Sequence, residues 1–226
     1  MWILASLAIL GMFLFMLFRR NKFHISLLKT VVVFILLACL GILSTQILYF
    51  IENGEWGGMS FFGAVLFVPI WFFAVAKILN IPFSKMMDFV ALPGLLMFAV
   101  LKANCAVEGC CQGRVLCNSN GVNPIYFPSP IVEAITTVLL VCALLCVEKK
   151  GKTNNKLYPI SLASYGVLRF VLNFFREQGE PLFLGLQKGN VWALVAILVG
   201  AVWLLVLRYM EINSRYNLLI KEKTQK

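Results

Sequence analysis

The feature that most constrains this chain is its series of long apolar runs. A run of about 20 apolar residues is enough to cross the ~30 Å hydrocarbon layer of a bilayer. Such runs recur along the 226 residues at roughly 2–18, 28–51, 61–79, 86–103, 131–147, 157–175 and 190–208. In hydrocarbon every backbone N–H and C=O must be satisfied within the element, which selects helices. With 61% hydrophobic residues and a mean hydropathy of +0.87, the chain is far oilier than one soluble core requires. The expected fold is all-α: a polytopic membrane protein of about seven transmembrane helices. Residues 1–210 would form a single transmembrane domain and 211–226 a basic cytoplasmic tail.

The net charge of +10 could point to nucleic acid, but its distribution argues otherwise. With the loop Arg19–Arg20–Asn21–Lys22 placed in the cytoplasm, fifteen of the twenty Lys and Arg residues fall on that side. They are Arg19, Arg20, Lys22, Lys29, Lys77, Lys85, Lys149, Lys150, Lys152, Lys156, Arg208, Arg215, Lys221, Lys223 and Lys226. This is the asymmetry of a membrane protein with its N-terminus outside and C-terminus inside. The tail would meet anionic lipid heads. No nucleic-acid partner is expected. The first run has no basic segment before it and no small-residue cleavage site after it, so it reads as a retained helix rather than a signal peptide.

Ionisable residues at membrane depth are costly and are usually kept for function. Lys102 closes the fourth expected helix, Glu133 opens the fifth, and Arg169 lies inside the sixth. Arg176 follows at the outer end of that helix, seven residues or about two turns later, on the same face as Tyr165 and Arg169. By the threading above, all of these lie in the outer leaflet. Two guanidinium groups and an ammonium there suggest an anionic headgroup, most simply a phosphate. The alternative is that Arg169 snorkels or pairs with Asp88 or Glu133, and that Lys102 snorkels. The segment WGGMSFFG at 56–63 is glycine-rich, and Gly57, Gly58 and Gly63 would allow a ligand to approach the backbone.

Residues 104–114, NCAVEGCCQGR, gather cysteines, glycines and opposite charges. Three readings are open: a metal site, a redox pair and a close-packed backbone elbow. Zinc favours paired C-x2-C spacing and often histidine. Here the spacing from Cys105 through Cys110 and Cys111 to Cys117 is C-x4-C-C-x5-C, and the only histidine, His24, lies in the opposite loop. A redox pair more often uses C-x-x-C, and adjacent cysteines bridge only with strain. The favoured reading is an elbow set by Gly109 and Gly113, with no metal and no cofactor. An oxidising exterior would permit disulfides in this cluster. Cys39, Cys142 and Cys146 read as small apolar packing residues within helices.

Four segments together resemble the bacterial prolipoprotein diacylglyceryl transferase family, over about residues 25–205. GGMSFFG at 57–63 is similar to the family's Gly-Met-Ser-Phe segment. DFVALPGLLMFAVLKANCAVEGCCQGR at 88–114 resembles its Asp-to-signature stretch, one branch of which reads Arg-x-Gly-Cys-x-x-x-Gly-Cys-Cys-x-Gly. FPSPIVEA at 127–134 resembles His-Pro-Ser/Thr-Gln-x-Tyr-Glu. YGVLRFVLNFFRE at 165–177 resembles Tyr-Gly-x-x-Arg-Phe-x-x-Glu-Phe-x-Arg.

The resemblance implies transfer of a diacylglyceryl group from phosphatidylglycerol to the lipobox cysteine thiol of a secreted precursor, at the outer leaflet of the bacterial plasma membrane. It implies that Arg169, Arg176 and Lys102 hold the phosphate, with Ser129, Gly109, Gly113 and Gly58 in the substrate-binding wall. Glu133 or Glu108 would handle the proton, and Tyr165 would position the headgroup. The chain departs from the family where Phe62 and Phe127 replace histidine, Lys102 replaces arginine and Asn104 replaces glycine. Pro130, Val132 and Asn173 replace Gln, Tyr and Glu. A non-catalytic phospholipid-binding relative and a membrane thiol oxidoreductase using the four clustered cysteines are the alternative functions.

Overall fold

The computed structural model describes residues 2–117, 125–151, 153, 155–176, 181–183 and 186–224. Lys152 and Lys226 lie outside the described residues, as do the side chains of Cys117, Lys221 and Lys223. The described chain forms seven α-helices: α1 Trp2–Arg20, α2 Leu27–Asn53, α3 Phe61–Ile78, α4 Phe83–Val107, α5 Ser129–Lys149, α6 Leu157–Asn173 and α7 Lys188–Thr224. Five of them (α2, α3, α4, α5 and α7) are long and apolar enough to cross a membrane. The all-α multi-pass architecture expected from the apolar runs is therefore present.

Several helix ends differ from expectation, and the differences move functional residues. Helix α4 continues to Val107, so Lys102 lies inside it rather than at its end, and Cys105 falls in its last turn. Helix α5 begins at Ser129, one turn before Glu133. Helix α6 stops at Asn173, so Arg176 lies beyond it. The shared-face argument for Arg169 and Arg176 therefore fails: helical periodicity ends between them. Helix α7 runs on to Thr224 instead of stopping near 208. Periodic patterning cannot locate such ends, because a helix continues past its apolar stretch wherever propensity is adequate and no glycine or proline intervenes.

Two short antiparallel hairpins interrupt the helical order. Strand β1 (Val115–Cys117) pairs with β2 (Ile125–Tyr126), and β3 (Pro181–Phe183) pairs with β4 (Leu186–Gln187). They link α4 to α5 and α6 to α7, so both cap one end of the bundle. An isolated antiparallel bridge between Gly113 and Arg176 joins the two connections.

Helix α6 packs along α7, α1 and α5 flank α4, and α2 lies against α3. Small residues permit the closest of these approaches. A Cβ at Gly166 would stand 2.9 Å from the Ala193 carbonyl, and one at Gly200 would stand 2.8 Å from that of Pro159. Between helices in lipid, such close backbone contact supplies dispersion where no hydrophobic gradient exists. Cys39, Cys142 and Cys146 are exposed on the helix surfaces. That corrects their reading as packing residues: they face outward, where an apolar thiol suits hydrocarbon.

At the end opposite the hairpins, α1, α4, α5 and α6 are tied by charge. Arg19 is buried at 5% exposure and donates both terminal nitrogens to Glu148, each at 2.8 Å. It also donates to the Asp88 carbonyl at 3.0 Å. Lys22 adds a second cation to Glu148 at 3.2 Å. The Asp88 carboxylate accepts the Tyr158 backbone N–H at 2.9 Å. It thereby satisfies an orphan donor in the first turn of α6, the end of a helix that favours negative charge. Asp88 is thus not a partner for Arg169.

Candidate anion site at the hairpin end of the bundle

Three helices converge on one carboxylate. Glu133 on α5 is 1% exposed. Its Oε2 lies 3.1 Å from the Lys102 Nζ on α4. Its Oε1 accepts from Arg169 Nη1 on α6. Fourteen residues of α4 separate Asp88 from Lys102, which at 1.5 Å per residue is about 21 Å. The two charged clusters therefore occupy opposite ends of the bundle.

Arg169 is consequently ion-paired rather than free, as one of the two sequence readings allowed. Lys102 is also paired instead of snorkelling, and its ammonium lies 5.3 Å from the Phe98 ring centroid. Arg176 differs from both. Among the described residues its side chain makes no ion pair, while its backbone is fixed by the bridge to Gly113. Lys102, Arg169 and Arg176 set against Glu133 give the cluster a formal charge of +2. In a low-dielectric setting such an excess favours an anionic guest strongly.

Tyr165, one turn before Arg169, is 1% exposed. Its hydroxyl has no hydrogen-bond partner among the described residues. The ring is held in an aromatic box by Phe61 at 5.3 Å, Phe98 at 5.4 Å and Phe62 at 6.1 Å between centroids. Phe62, where relatives of the resembled family carry histidine, is thus a wall of this box. Phe127, the second such position, stacks on Phe175 at 5.2 Å. The Asn173 amide nitrogen is a second buried donor without a partner among the described residues.

Tyr165 is part of the lining of an apolar cavity of about 170 Å³. Met12, Leu37, Val65, Val90, Leu95 and Phe98 contribute to a wall that is almost entirely carbon. Met59 and Ile42, both exposed, mark where it opens sideways between helices. The volume is close to that of an engineered ~150 Å³ cavity that stays dry and accepts benzene. It suits a segment of an alkyl chain better than a polar solute.

The elbow at 108–114 is joined to the site by the Gly113–Arg176 bridge. Gly109 has φ +68, a conformation costly for residues with a Cβ. At Gly113 a Cβ would lie 2.7 Å from the carbonyl oxygens of Phe127 and Phe175. The Gly113 N–H donates to Phe127 at 2.9 Å, and the Arg114 N–H to Phe175 at 3.1 Å. Ser129 is buried at the start of α5. Gly58 packs against the Tyr49 ring, in the loop before α3. Glu108 caps the C-terminus of α4, is exposed, and accepts from Asn104 at 2.8 Å. It stands outside the carboxylate–cation cluster.

Cys105, Cys110 and Cys111 are free thiols whose sulfurs all lie within 4.8 Å of one another. The Cys105 thiol donating to Cys111, with Lys102 and Arg176 nearby, holds the Cys111 thiol well below the ordinary thiol range. Phe98 and Phe61 were not singled out from the sequence. The available signal for Phe98 was its position four residues before Lys102 on one helix face.

A bundle of long apolar helices with a buried charged cluster at one end defines a multi-pass membrane protein. Residues 2–206 match the family model described as prolipoprotein diacylglyceryl transferase. The chain belongs to that family. Among similar proteins is the phosphatidylglycerol–prolipoprotein diacylglyceryl transferase of Acinetobacter baumannii (strain AYE). It is 30% identical over 185 residues, covering 72% of this chain and 67% of the relative. The protein of that name from Polaromonas naphthalenivorans is 29% identical over 164 residues, covering 66% and 59%. That from Dehalococcoides mccartyi is 26% identical over 161 residues, covering 65% and 60%.

Proposed function

We propose that this protein transfers a diacylglyceryl group from phosphatidylglycerol to the thiol of a lipobox cysteine in a secreted lipoprotein precursor. The reaction would take place at the outer leaflet of the bacterial plasma membrane. The observation that carries the proposal is the buried cluster of Lys102, Glu133 and Arg169 with Arg176, set next to an apolar cavity that Leu101, adjacent to Lys102, and Tyr165, one turn from Arg169, help to line. The family membership and the relatives' names supply the reaction class. The positive-side asymmetry of the loops supports the orientation with this cluster facing out.

In this mechanism an acyl chain enters the cavity past Ile42 and Met59, and the phosphate meets Arg176 first. Exchange of an acyl chain between bilayer and cavity brings little hydrophobic gain, because lipid tails are already apolar. Headgroup charge therefore decides binding. The phosphate draws Arg169 and Lys102 toward itself, which frees the Glu133 carboxylate. The lipobox sulfur attacks the glyceryl carbon that carries the phosphate oxygen. A C–S bond forms, the C–O bond breaks, and glycerol phosphate leaves with the bonding electron pair. Glu133 takes the thiol proton.

The three cations stabilise the charge that develops on the leaving phosphate, usually the largest catalytic contribution. A thiol has a pKa near ~8.5, so the proton acceptor has modest work and the loss of histidine at Phe62 and Phe127 is tolerable. The unpartnered Tyr165 hydroxyl and Asn173 amide are available to headgroup oxygens. The exposed Glu108 has no part in the chemistry.

The test uses the full chain in lipid nanodiscs with radiolabelled phosphatidylglycerol and a lipobox peptide. Label should pass to the peptide as a thioether, with glycerol phosphate released one for one. A preparation that retains the lipid but transfers nothing, beside an active relative, refutes the transferase reading.

A further inference from the structure

The sulfurs of Cys105, Cys110 and Cys111 form a cluster that the transfer mechanism leaves unused. Cys105 is the last-turn residue of α4, and the other two follow the left-handed turn at Gly109. Cys111 itself has φ +59, unusual for a residue with a Cβ. Backbone strain of this kind persists only where the surroundings enforce it. Here the turn carries the chain back so that Cys110 and Cys111 face Cys105. All three sulfurs then lie within 4.8 Å of one another.

With metal–sulfur bonds of about 2.3 Å, three thiolates around one ion in a plane sit about 4 Å apart. Closing the observed cluster to that spacing requires shifts below about 1 Å. The group holds three sulfurs and, among the described residues, no histidine or carboxylate. Closed structural zinc sites take four ligands, whereas soft thiolate donors also select copper(I). Three thiolates and one monovalent ion carry two negative charges.

We propose that Cys105, Cys110 and Cys111 form a trigonal thiolate site for a single soft d10 metal ion, copper(I), at the rim of the anion site. Binding releases the remaining thiol protons to solvent and needs no change in oxidation state. The copper would tie the elbow to the end of α4, three residues from Lys102.

The experiment titrates the purified full chain anaerobically with copper(I) against a chromogenic copper(I) chelator. Alkylation with mass spectrometry then counts the protected cysteines. One equivalent should resist the chelator, and Cys105, Cys110 and Cys111 should become unreactive together. Cys105→Ser or Cys111→Ser should weaken retention by at least the roughly 10–100-fold that losing an outer-shell partner costs a metal site. Cys39→Ser and Cys142→Ser should retain the ion. Equal alkylation with and without copper(I) overturns the proposal in the unaltered protein, whatever the fate of the variants. So does a chain that takes zinc(II) but not copper(I), or one in which two of the three thiols are found joined as a disulfide and the third is left free. All of these readouts are independent of transfer activity.

Discussion

Glu133→Gln removes the one carboxylate shared by Lys102 and Arg169 and keeps nearly the same shape. Both cations are nine-tenths buried or close to it, with side chains 12% and 11% exposed. Removing one partner of a buried ion pair typically costs about 3–5 kcal/mol, because the other charge is left uncompensated. For a chain of this size about 1 kcal/mol moves the melting temperature by ~2–4 °C. The expected loss is therefore roughly 6–20 °C, read from tryptophan fluorescence in detergent micelles.

A further signature separates this mechanism from simple loss of packing. An anionic headgroup can replace the missing carboxylate, so phosphatidylglycerol should stabilise the variant more than the unaltered protein. Phosphatidylcholine, whose headgroup carries no net charge, should not. Neutralising one stranded cation as well, in Lys102→Met with Glu133→Gln, should recover part of the loss. A Glu133→Gln protein that melts within about 2 °C of the unaltered chain would refute the claim that this carboxylate holds the cluster together.

Arg176→Ala should leave the melting temperature nearly unchanged, since its side chain makes no ion pair among the described residues. Phosphatidylglycerol retention should nevertheless fall on the order of 10–100-fold, the worth of a charge-assisted hydrogen bond of about 1.5–3 kcal/mol, measured by equilibrium lipid exchange. Glu148→Ala strands the buried Arg19 at the other end of the bundle and should cost about 3–5 kcal/mol in the same melt, with transfer kinetics little changed in the folded fraction. Gly113→Ala forces a methyl group against two carbonyl oxygens. It should cost about 1–3 kcal/mol by overpacking and displace Arg176 from the site, which reduces transfer rate more than stability.

The apolar runs determined that the chain forms membrane-crossing helices, because hydrocarbon leaves the backbone no other economical way to satisfy itself. Motif order was legible too, and so were the cations and the carboxylate of the cluster. Pairing was not. Glu133 lies 36 residues from Arg169, and only the packing of α5 against α6 brings their side chains into contact. Arg169 could equally have paired with Asp88 on sequence grounds. The length of α4 decides against it by placing Asp88 and Lys102 at opposite ends of one helix.

The same limit applies to the cysteines. C-x4-C-C spacing discouraged a metal reading, because spacing measures distance along the chain. A left-handed turn at Gly109 and the strained backbone of Cys111 fold that distance away. Arg176 was placed on a helix face by periodicity, yet the helix ends three residues earlier and a backbone bridge to Gly113 holds it instead. Composition and hydropathy act locally and additively, so the sequence carries them openly. Which charges neutralise one another, and which is left for a ligand, depends on contacts between distant segments that only the tertiary structure decides.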